Sequence, residues 1–208
     1  MKVKICGMKY RDNLQKIDNL QPDYLGFIFY NKSERYMRET LVPSDLKSIS
    51  SKTVGVFVNP VLKEVEKVMI EFNLDALQFH GDESPEFCNY FKRNGTEVIK
   101  AFSVDNKFDF DTTKKYNGCC NYFLFDTKGS KKGGTGMAFD WRLIKKYDQK
   151  VSFFLSGGIG YENIQEALTL SRMNIYAIDI NSKAEDAAGL KNIEKVSKII
   201  SLLRTNTK

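Results

Sequence analysis

The sequence predicts an α/β fold, a single (βα)8 TIM barrel that spans residues 1–208. Two observations support this prediction. Short apolar segments rich in β-branched and aromatic residues recur along the chain, and the stretches between them carry apolar residues at helical spacing. The segments are almost continuously apolar, as in LGFIF at 25–29, which is typical of parallel strands that helices cover on both faces.

Eight such segments occur, and this number suits a compact closed barrel better than an open doubly wound sheet. They lie at 3–6, 24–29, 53–58, 76–80, 98–102, 122–126, 153–156 and 176–180. In a barrel of this kind the active site lies at the carboxyl ends of the strands, so those positions are the ones to inspect for chemistry.

Two of the intervening helices have clear start signals. Asn59 precedes Pro60 and Ser84 precedes Pro85, and each pair combines an N-cap residue with a proline at the first helical position. We expect these helices and the last one to bury one apolar face each. The predicted faces are Val61, Leu62, Val65, Val68, Met69 and Phe72, then Phe87, Tyr90 and Phe91, and finally Ile193, Val196, Ile200 and Leu203.

The charge pattern favours small anions over nucleic acid as ligands. Lysine and arginine outnumber aspartate and glutamate by 32 to 26, and the basic residues are spread along helical faces. They form one short cluster, Lys128, Lys131 and Lys132. No apolar run reaches the length of a signal peptide or a membrane span, so the sequence predicts a cytoplasmic protein without a membrane partner.

Cysteine and histidine usage argues against a structural metal site. The four cysteines show no CxxC spacing, and His80 is the single histidine. We therefore expect no zinc site and no disulfide framework, and we interpret Cys88, Cys119 and Cys120 as structural residues.

Reactive and polar residues stand where the predicted strands end. Cys6 ends the first strand and is followed by Gly7, while Asp126 ends the sixth. At this rim a thiolate could accept a proton and a carboxyl group in apolar surroundings could donate one. The alternatives are a buried core cysteine and an aspartate that only caps a loop. An ordinary thiol is mostly protonated at neutral pH, so catalysis by Cys6 would need positive charge nearby.

Three further segments could bind an anionic ligand. In LSGGI at 155–159, Gly157 and Gly158 precede a predicted helix start near Glu162 or Asn163, and their amides could hold a phosphate, although two glycines also make an ordinary turn. Arg35 could bind a carboxylate or form a surface salt bridge. The glycine loop KKGGTG at 131–136 resembles a lid or phosphate loop but is not a Walker A sequence.

The sequence leaves two alternative roles for His80. It could donate a proton or contact the ligand, or it could bond only to its neighbours.

Taken together, these segments resemble the phosphoribosylanthranilate isomerase family of tryptophan biosynthesis, whose members are single (βα)8 barrels. The resemblance covers nearly the whole chain, and the order and spacing of its motifs are more specific than any one of them. The motifs are KICGM at 4–8, LGFIF at 25–29, SERY at 33–36, VGVFVN at 54–59, LQFHGDE at 77–83, FLFDT at 123–127, GGTG with FDW at 133–141, LSGGI at 155–159 and DINS at 179–182.

The resemblance implies an Amadori rearrangement of a small-molecule substrate, phosphoribosylanthranilate, with no metal and no cofactor, by a monomer or homodimer. It places Cys6 at the family's general-base position and Asp126 at its general-acid position. It places Arg35 at the anthranilate carboxylate and Asp179 at the sugar. The phosphate would be held by Gly157, Gly158 and Ser182.

Two departures from the family pattern concern substrate binding. Asn181, Ser182 and Lys183 stand where the family usually has serine, serine and glycine, so Lys183 could supply a charge to the phosphate or point to solvent. The loop before Arg35 has glutamate where proline is common.

Other functions predict other residues. The related isomerase of histidine biosynthesis would show paired aspartates, and indole-glycerol-phosphate synthase a catalytic lysine with glutamates. The thiol at the end of the first strand disfavours both. In a non-catalytic anion-binding barrel or a nucleic-acid binder, Cys6 and Asp126 would be free to vary without effect.

Overall fold

Eight parallel strands close into a barrel in the computed structural model, which describes residues 1–127 and 141–205. Each strand pairs with the next along the chain, and the eighth pairs with the first. The strands are β1 (Lys2–Ile5), β2 (Tyr24–Ile28), β3 (Lys52–Phe57), β4 (Ala76–Phe79), β5 (Glu97–Val104), β6 (Tyr122–Thr127), β7 (Phe153–Leu155) and β8 (Ile175–Ile180). The predicted barrel is confirmed, and every predicted strand is present with its ends shifted by at most two residues.

The connections between strands are a mixture of α-helices and tighter 3₁₀ helices. The α-helices are α1 (Arg11–Asp18), α2 (Pro43–Leu46), α3 (Leu62–Phe72), α4 (Pro85–Arg93), α5 (Ile164–Leu168) and α6 (Ile193–Thr205). The 3₁₀ helices lie at Met37–Glu39, Phe110–Tyr116, Trp141–Lys146 and Ser182–Ala184. Several connections are therefore shorter than the regular helices that the periodicity suggested.

The start signal at Ser84-Pro85 is confirmed. Ser84 is the N-cap of α4, and its hydroxyl oxygen accepts a hydrogen bond from the Phe87 amide at 3.2 Å. Pro85 is the first helical residue, where a missing N–H costs nothing. Of the predicted apolar face, Phe91 is buried and Phe87 packs against the core, whereas Tyr90 is exposed.

The start signal at Asn59-Pro60 is wrong. Helix α3 begins at Leu62, and Asn59 lies before it in the left-handed region with φ of 49°. The Asn59 backbone N–H donates to the Glu83 carboxylate, and its side-chain oxygen accepts from the Asp82 amide. Asn59 therefore ties two barrel loops together, and Val61, predicted to be buried, is 69% exposed.

The apolar core has two layers, one inside the barrel and one between strands and helices. The inner layer is narrow and is filled by residues from seven strands, namely Tyr24, Val54, Ala76, Ile99, Ala101, Leu124, Phe154 and Ala177. The outer layer is rich in phenylalanine and includes Val65, Val68 and Phe72 of α3, together with Val196, Ile200 and Leu203 of α6. Burial on both faces explains the nearly continuous apolar runs of the strands.

A short antiparallel ribbon follows β8 and was not predicted from the sequence. It consists of β9 (Glu185–Ala187) and β10 (Leu190–Lys191). The ribbon brings Glu185 and Lys191 next to the carboxyl end of β1, where Arg35 also lies.

A search of the described residues for a helix long and apolar enough to cross a membrane found none.

Replacing Ser84 with alanine should destabilise the protein by about 1 kcal/mol, because the first turn of α4 loses its N-cap oxygen. Urea unfolding of Ser84→Ala measures the change. Ser201→Ala, on the exposed side of α6, is the matched control and should change stability by less than about 0.5 kcal/mol. Equal effects of the two substitutions would show that the cap contributes nothing.

Candidate active site

A cavity of about 340 Å³ opens at the carboxyl ends of the strands. Six of the residues predicted to form the site line it, namely Cys6, His80, Asp126, Gly158, Asp179 and Ser182. The other lining residues are Ile28, Val56, Gln78, Ser156, Ile159, Asn181 and Lys183. Because parallel strands end at one rim, residues far apart in the sequence converge here.

Cys6 follows β1 directly and is almost completely buried, with 4% of its surface exposed. Its backbone N–H donates to the Ile180 carbonyl at 2.8 Å, which continues the pairing of β1 with β8. On the other side the sulfur lies against Gly26 of β2, where an added Cβ would come within 2.7 Å of Sγ. The thiol is therefore held between two neighbouring strands and faces the cavity.

Charged groups of both signs act on the pKa of Cys6. On balance the pKa of the Cys6 thiol is raised above its ordinary value: burial is the largest cause and Asp179 adds to it, whereas Lys4 and Lys191 lower the pKa. The sequence analysis required positive charge near a catalytic thiol; two buried lysines lie there, and burial still outweighs their effect on the pKa of Cys6.

Asp179 lies on β8 directly opposite Lys4 of β1 in the strand register. Its carboxylate is 2.7 Å from the Lys4 ammonium and accepts a hydrogen bond from the Ser156 hydroxyl at 3.1 Å. All three side chains are buried, so Asp179 is fixed from β1 and from the end of β7 at once.

Asp126 and His80 lie together on the other side of the cavity. The His80 Nε2 atom is 3.4 Å from the Asp126 carboxylate, and Nδ1 is 3.1 Å from the Gln78 amide nitrogen. Which of the two ring nitrogens donates depends on the tautomer of His80. The Asp126 side chain is 30% exposed, so its surroundings are less apolar than its strand suggested.

A buried ion pair supports the loop that carries His80. The Lys100 ammonium of β5 is 3.1 Å from the Glu83 carboxylate and donates to the Gly81 carbonyl at 2.6 Å. Glu83 in turn accepts hydrogen bonds from the backbone amides of Gly81 and Asn59. The segment that follows β4 is therefore tied to β5 and to the loop after β3.

Arg35 lies beside the cavity and is not among the residues that line it. Its Nε and Nη2 atoms donate to the Glu185 carboxylate at 3.0 and 2.6 Å. Lys191, which is buried, donates to the same carboxylate at 2.5 Å and to the Asn181 side chain at 2.8 Å. Burial would raise the pKa of Glu185, but the two cations outweigh it and the pKa is lowered.

The predicted phosphate segment has an open backbone at the rim. Gly157 and Gly158 have φ of 95° and 69°, a region that favours glycine. The Asn163 side chain closes the following turn, since it accepts from the Gly160 amide and donates to the Gly158 carbonyl, both at 2.8 Å. Helix α5 begins at Ile164, close to the predicted start. Gly158, Ser182 and Lys183 all border the cavity.

Some predicted features lie elsewhere. The glycine loop at 131–136 and the basic cluster at Lys128, Lys131 and Lys132 are outside the described residues. Cys88 and Cys120 are buried in the core, and all four cysteines are free. Within 1–127 and 141–205, no group of three or more histidine, cysteine or acidic side chains is placed to hold a metal ion.

Four residues near the site were missed by the sequence analysis. Lys4 and Gln78 lie inside the barrel, and Glu185 and Lys191 lie on the ribbon. A lysine two positions before Cys6 in an otherwise apolar strand was a usable signal, because both side chains point to the same face.

Comparisons with known proteins identify the family. The family model for N-(5'-phosphoribosyl)anthranilate isomerase matches residues 3–202. The chain therefore belongs to the phosphoribosylanthranilate isomerase family. A relative of that name from Parabacteroides distasonis is 38% identical over 96% of this chain and 92% of its own length. Another, from a Thermoanaerobacter species, is 37% identical over 98% of both chains.

Solved structures of the same family show the same fold. The phosphoribosylanthranilate isomerase of Thermotoga maritima has a TM-score of 0.84 and 32% identity, and the match covers 99% of both chains. A structure of the isomerase in complex with reduced 1-(o-carboxyphenylamino)-1-deoxyribulose 5-phosphate has a TM-score of 0.82 and 31% identity, again over 99% of both.

Replacing Gly26 with alanine should destabilise this isomerase-family chain by about 1–3 kcal/mol, because the new methyl group would overlap the Cys6 sulfur. Urea unfolding of Gly26→Ala, Cys6→Ala and the double variant tests the cause. Since the sulfur is the nearest obstacle, the double variant should recover on the order of 1 kcal/mol relative to the sum of the single effects. Strictly additive effects would contradict this contact.

Proposed function

We propose that the chain catalyses the Amadori rearrangement of N-(5-phosphoribosyl)anthranilate to 1-(2-carboxyphenylamino)-1-deoxyribulose 5-phosphate, a step of tryptophan biosynthesis, without metal or cofactor. The support is the full-length match to the isomerase family combined with one structural observation. Cys6 and Asp126 line the same cavity from different strands, so a base and an acid face one bound molecule.

The acid step is assigned to Asp126. Its carboxyl group protonates the furanose ring oxygen, the bond from that oxygen to C1 breaks, and the substrate nitrogen forms a protonated Schiff base. His80 Nε2 lies 3.4 Å from the Asp126 carboxylate, so His80 is assigned the role of positioning the carboxyl group.

The base step is assigned to Cys6. Its thiolate removes the C2 proton, the electron pair of that bond forms the enamine double bond, and the protonated Schiff base becomes neutral. The resulting enol then tautomerises to the ketone. Cys6 takes up a proton without forming a bond to carbon, so no covalent adduct accumulates on the sulfur.

Residues at the rim of the cavity are assigned to the sugar, the phosphate and the carboxylate of the substrate. Asp179 contacts the sugar hydroxyls, and the phosphate is bound by Gly157, Gly158 and Ser182. Arg35 binds the anthranilate carboxylate; a guanidinium has five N–H donors, so those that Glu185 does not use remain for a second carboxylate.

Location and assembly follow from the same proposal. A small phosphorylated metabolite as substrate suits a cytoplasmic enzyme formed by a single 208-residue domain that binds neither membrane nor nucleic acid. The solved relatives include monomers generated from the dimeric Thermotoga maritima enzyme, so either a monomer or a homodimer fits this barrel.

Cys6→Ser and Asp126→Asn should each lower kcat by at least about 100-fold, since each removes one proton-transfer group. The decay of anthranilate fluorescence on freshly prepared phosphoribosylanthranilate measures turnover. Cys119→Ser, which changes a thiol away from the cavity, is the control and should keep wild-type activity. A wild-type protein that does not convert the substrate would refute the proposed function, and a fully active Cys6→Ser would refute the proposed base.

Lys183→Ala should raise KM about tenfold and leave kcat nearly unchanged, because the lysine at the cavity rim would provide one charge-assisted hydrogen bond to the phosphate. Lys63→Ala on the exposed side of α3 removes the same charge far from the rim and is the matched control. If both variants keep the wild-type KM, Lys183 points to solvent and the phosphate is held by the backbone and Ser182 alone.

A further inference from the structure

We infer that Lys4 is the positioning residue that stabilises the Cys6 thiolate when it forms, while its bond to Asp179 fixes where the positive charge lies. This inference rests on the proposed function, in which Cys6 is the base, and it assigns a task to a buried lysine behind the cavity. Lys4 does not line the cavity, so it acts on the substrate only through Cys6 and Asp179.

The strand geometry places Lys4 next to the sulfur. Lys4 and Cys6 are two positions apart at the end of β1, and residues at this spacing project from the same face of a strand. The Lys4 side chain has no exposed surface. Its ammonium is 2.7 Å from the Asp179 carboxylate, and its charge lowers the pKa of the Cys6 thiol.

Charged groups from several elements surround Cys6, and they differ in the ion pairs that they already form. Lys191 of β10 and Arg35 of the loop after β2 share the Glu185 carboxylate, and Lys191 also bonds to Asn181. Asp179 of β8 adds negative charge, and Asp126 and His80 lie across the cavity. Lys4 bonds to Asp179 but has three N–H donors, so donors remain for the sulfur.

The electrostatics agree with this geometry. On balance the pKa of the Cys6 thiol is raised, mainly by burial, and Lys4 is the strongest of the groups that limit this rise. Burial alone would lower the pKa of Lys4, but Asp179 and Cys6 outweigh it and the pKa of the ammonium is raised. Lys4 therefore stays charged throughout the neutral range, and one ammonium stabilises two anions. When Cys6 takes up the C2 proton, the Lys4–Asp179 pair remains neutral.

The test measures how readily iodoacetamide alkylates Cys6 as a function of pH, without substrate. The thiolate displaces iodide, and mass spectrometry of the peptide carrying Cys6 gives the rate. Cys6→Ser provides the background from the other cysteines. In Lys4→Met, which keeps the side-chain length but removes the charge, the midpoint of the profile should rise by at least about one pH unit, and alkylation below the midpoint should fall about tenfold.

A second variant separates a positioning role from a merely structural one. Asp179→Asn keeps Lys4 and removes the competing anion, so the profile of Cys6 should move to lower pH, opposite to Lys4→Met. If the ion pair only holds the fold together, both variants would disturb Cys6 in the same direction or leave its profile unchanged, and either result would overturn the inference.

Two further comparisons distinguish a failure of this inference from a folding defect and from a failure of the proposed function. If Lys4→Met alone does not fold, Lys4→Met/Asp179→Asn removes both buried charges, and its profile should lie at higher pH than that of Asp179→Asn; coincident profiles would overturn the inference. Because alkylation needs no substrate, a wild-type protein inactive on phosphoribosylanthranilate would refute the proposed function without altering the alkylation result. In an active enzyme, Lys4→Met should lower kcat and shift the acidic limb of its pH profile upwards.

Discussion

The structure depends first on the pairing of β1 with β8, because this ladder closes the barrel and carries a buried ion pair across the closure. Lys4 and Asp179 are register partners, and the salt bridge between them joins the first strand to the last. Removing one partner of such a pair leaves an uncompensated buried charge, which typically costs about 3–5 kcal/mol. The same ladder continues to Cys6, whose amide bonds to Ile180. The same strand pairing therefore closes the barrel and positions the proposed base.

Two other buried ionic groups hold the rest of the rim. Lys100 and Glu83 anchor the segment that carries His80, and Glu185 links Arg35 to Lys191 on the ribbon after β8. The first group joins neighbouring strands and the second joins loops 150 residues apart, and each lies just behind residues that line the cavity or its edge. Such pairs contribute little net stability compared with apolar residues of similar size. They instead fix the orientation of the side chains at the rim, which a site built on loops requires.

The sequence predicted the barrel well and the contacts within the site poorly, for physical reasons. Burial on both faces makes each strand an apolar run that is visible without knowledge of its partners, so all eight were found. Local signals were less secure: Ser84-Pro85 starts a helix, but at Asn59 a tertiary bond to Glu83 replaced the helical cap. The ribbon has no alternating pattern, and Arg35 and Glu185 are 150 residues apart, so neither could be read locally.

The proposed acid and base occupy different electrostatic environments, which suits the two proton transfers of the proposed mechanism. Burial of Cys6 raises the pKa of its thiol, and Lys4 and Lys191, which lie behind the cavity, limit that rise. Asp126 is partly open to the cavity, and its carboxylate lies 3.4 Å from His80 Nε2. A full positive charge beside Asp126 would hold it as a carboxylate and remove the acid. A lysine near the thiol and a histidine near the carboxyl group therefore suit the proposed base step and the proposed acid step, which require opposite shifts in pKa.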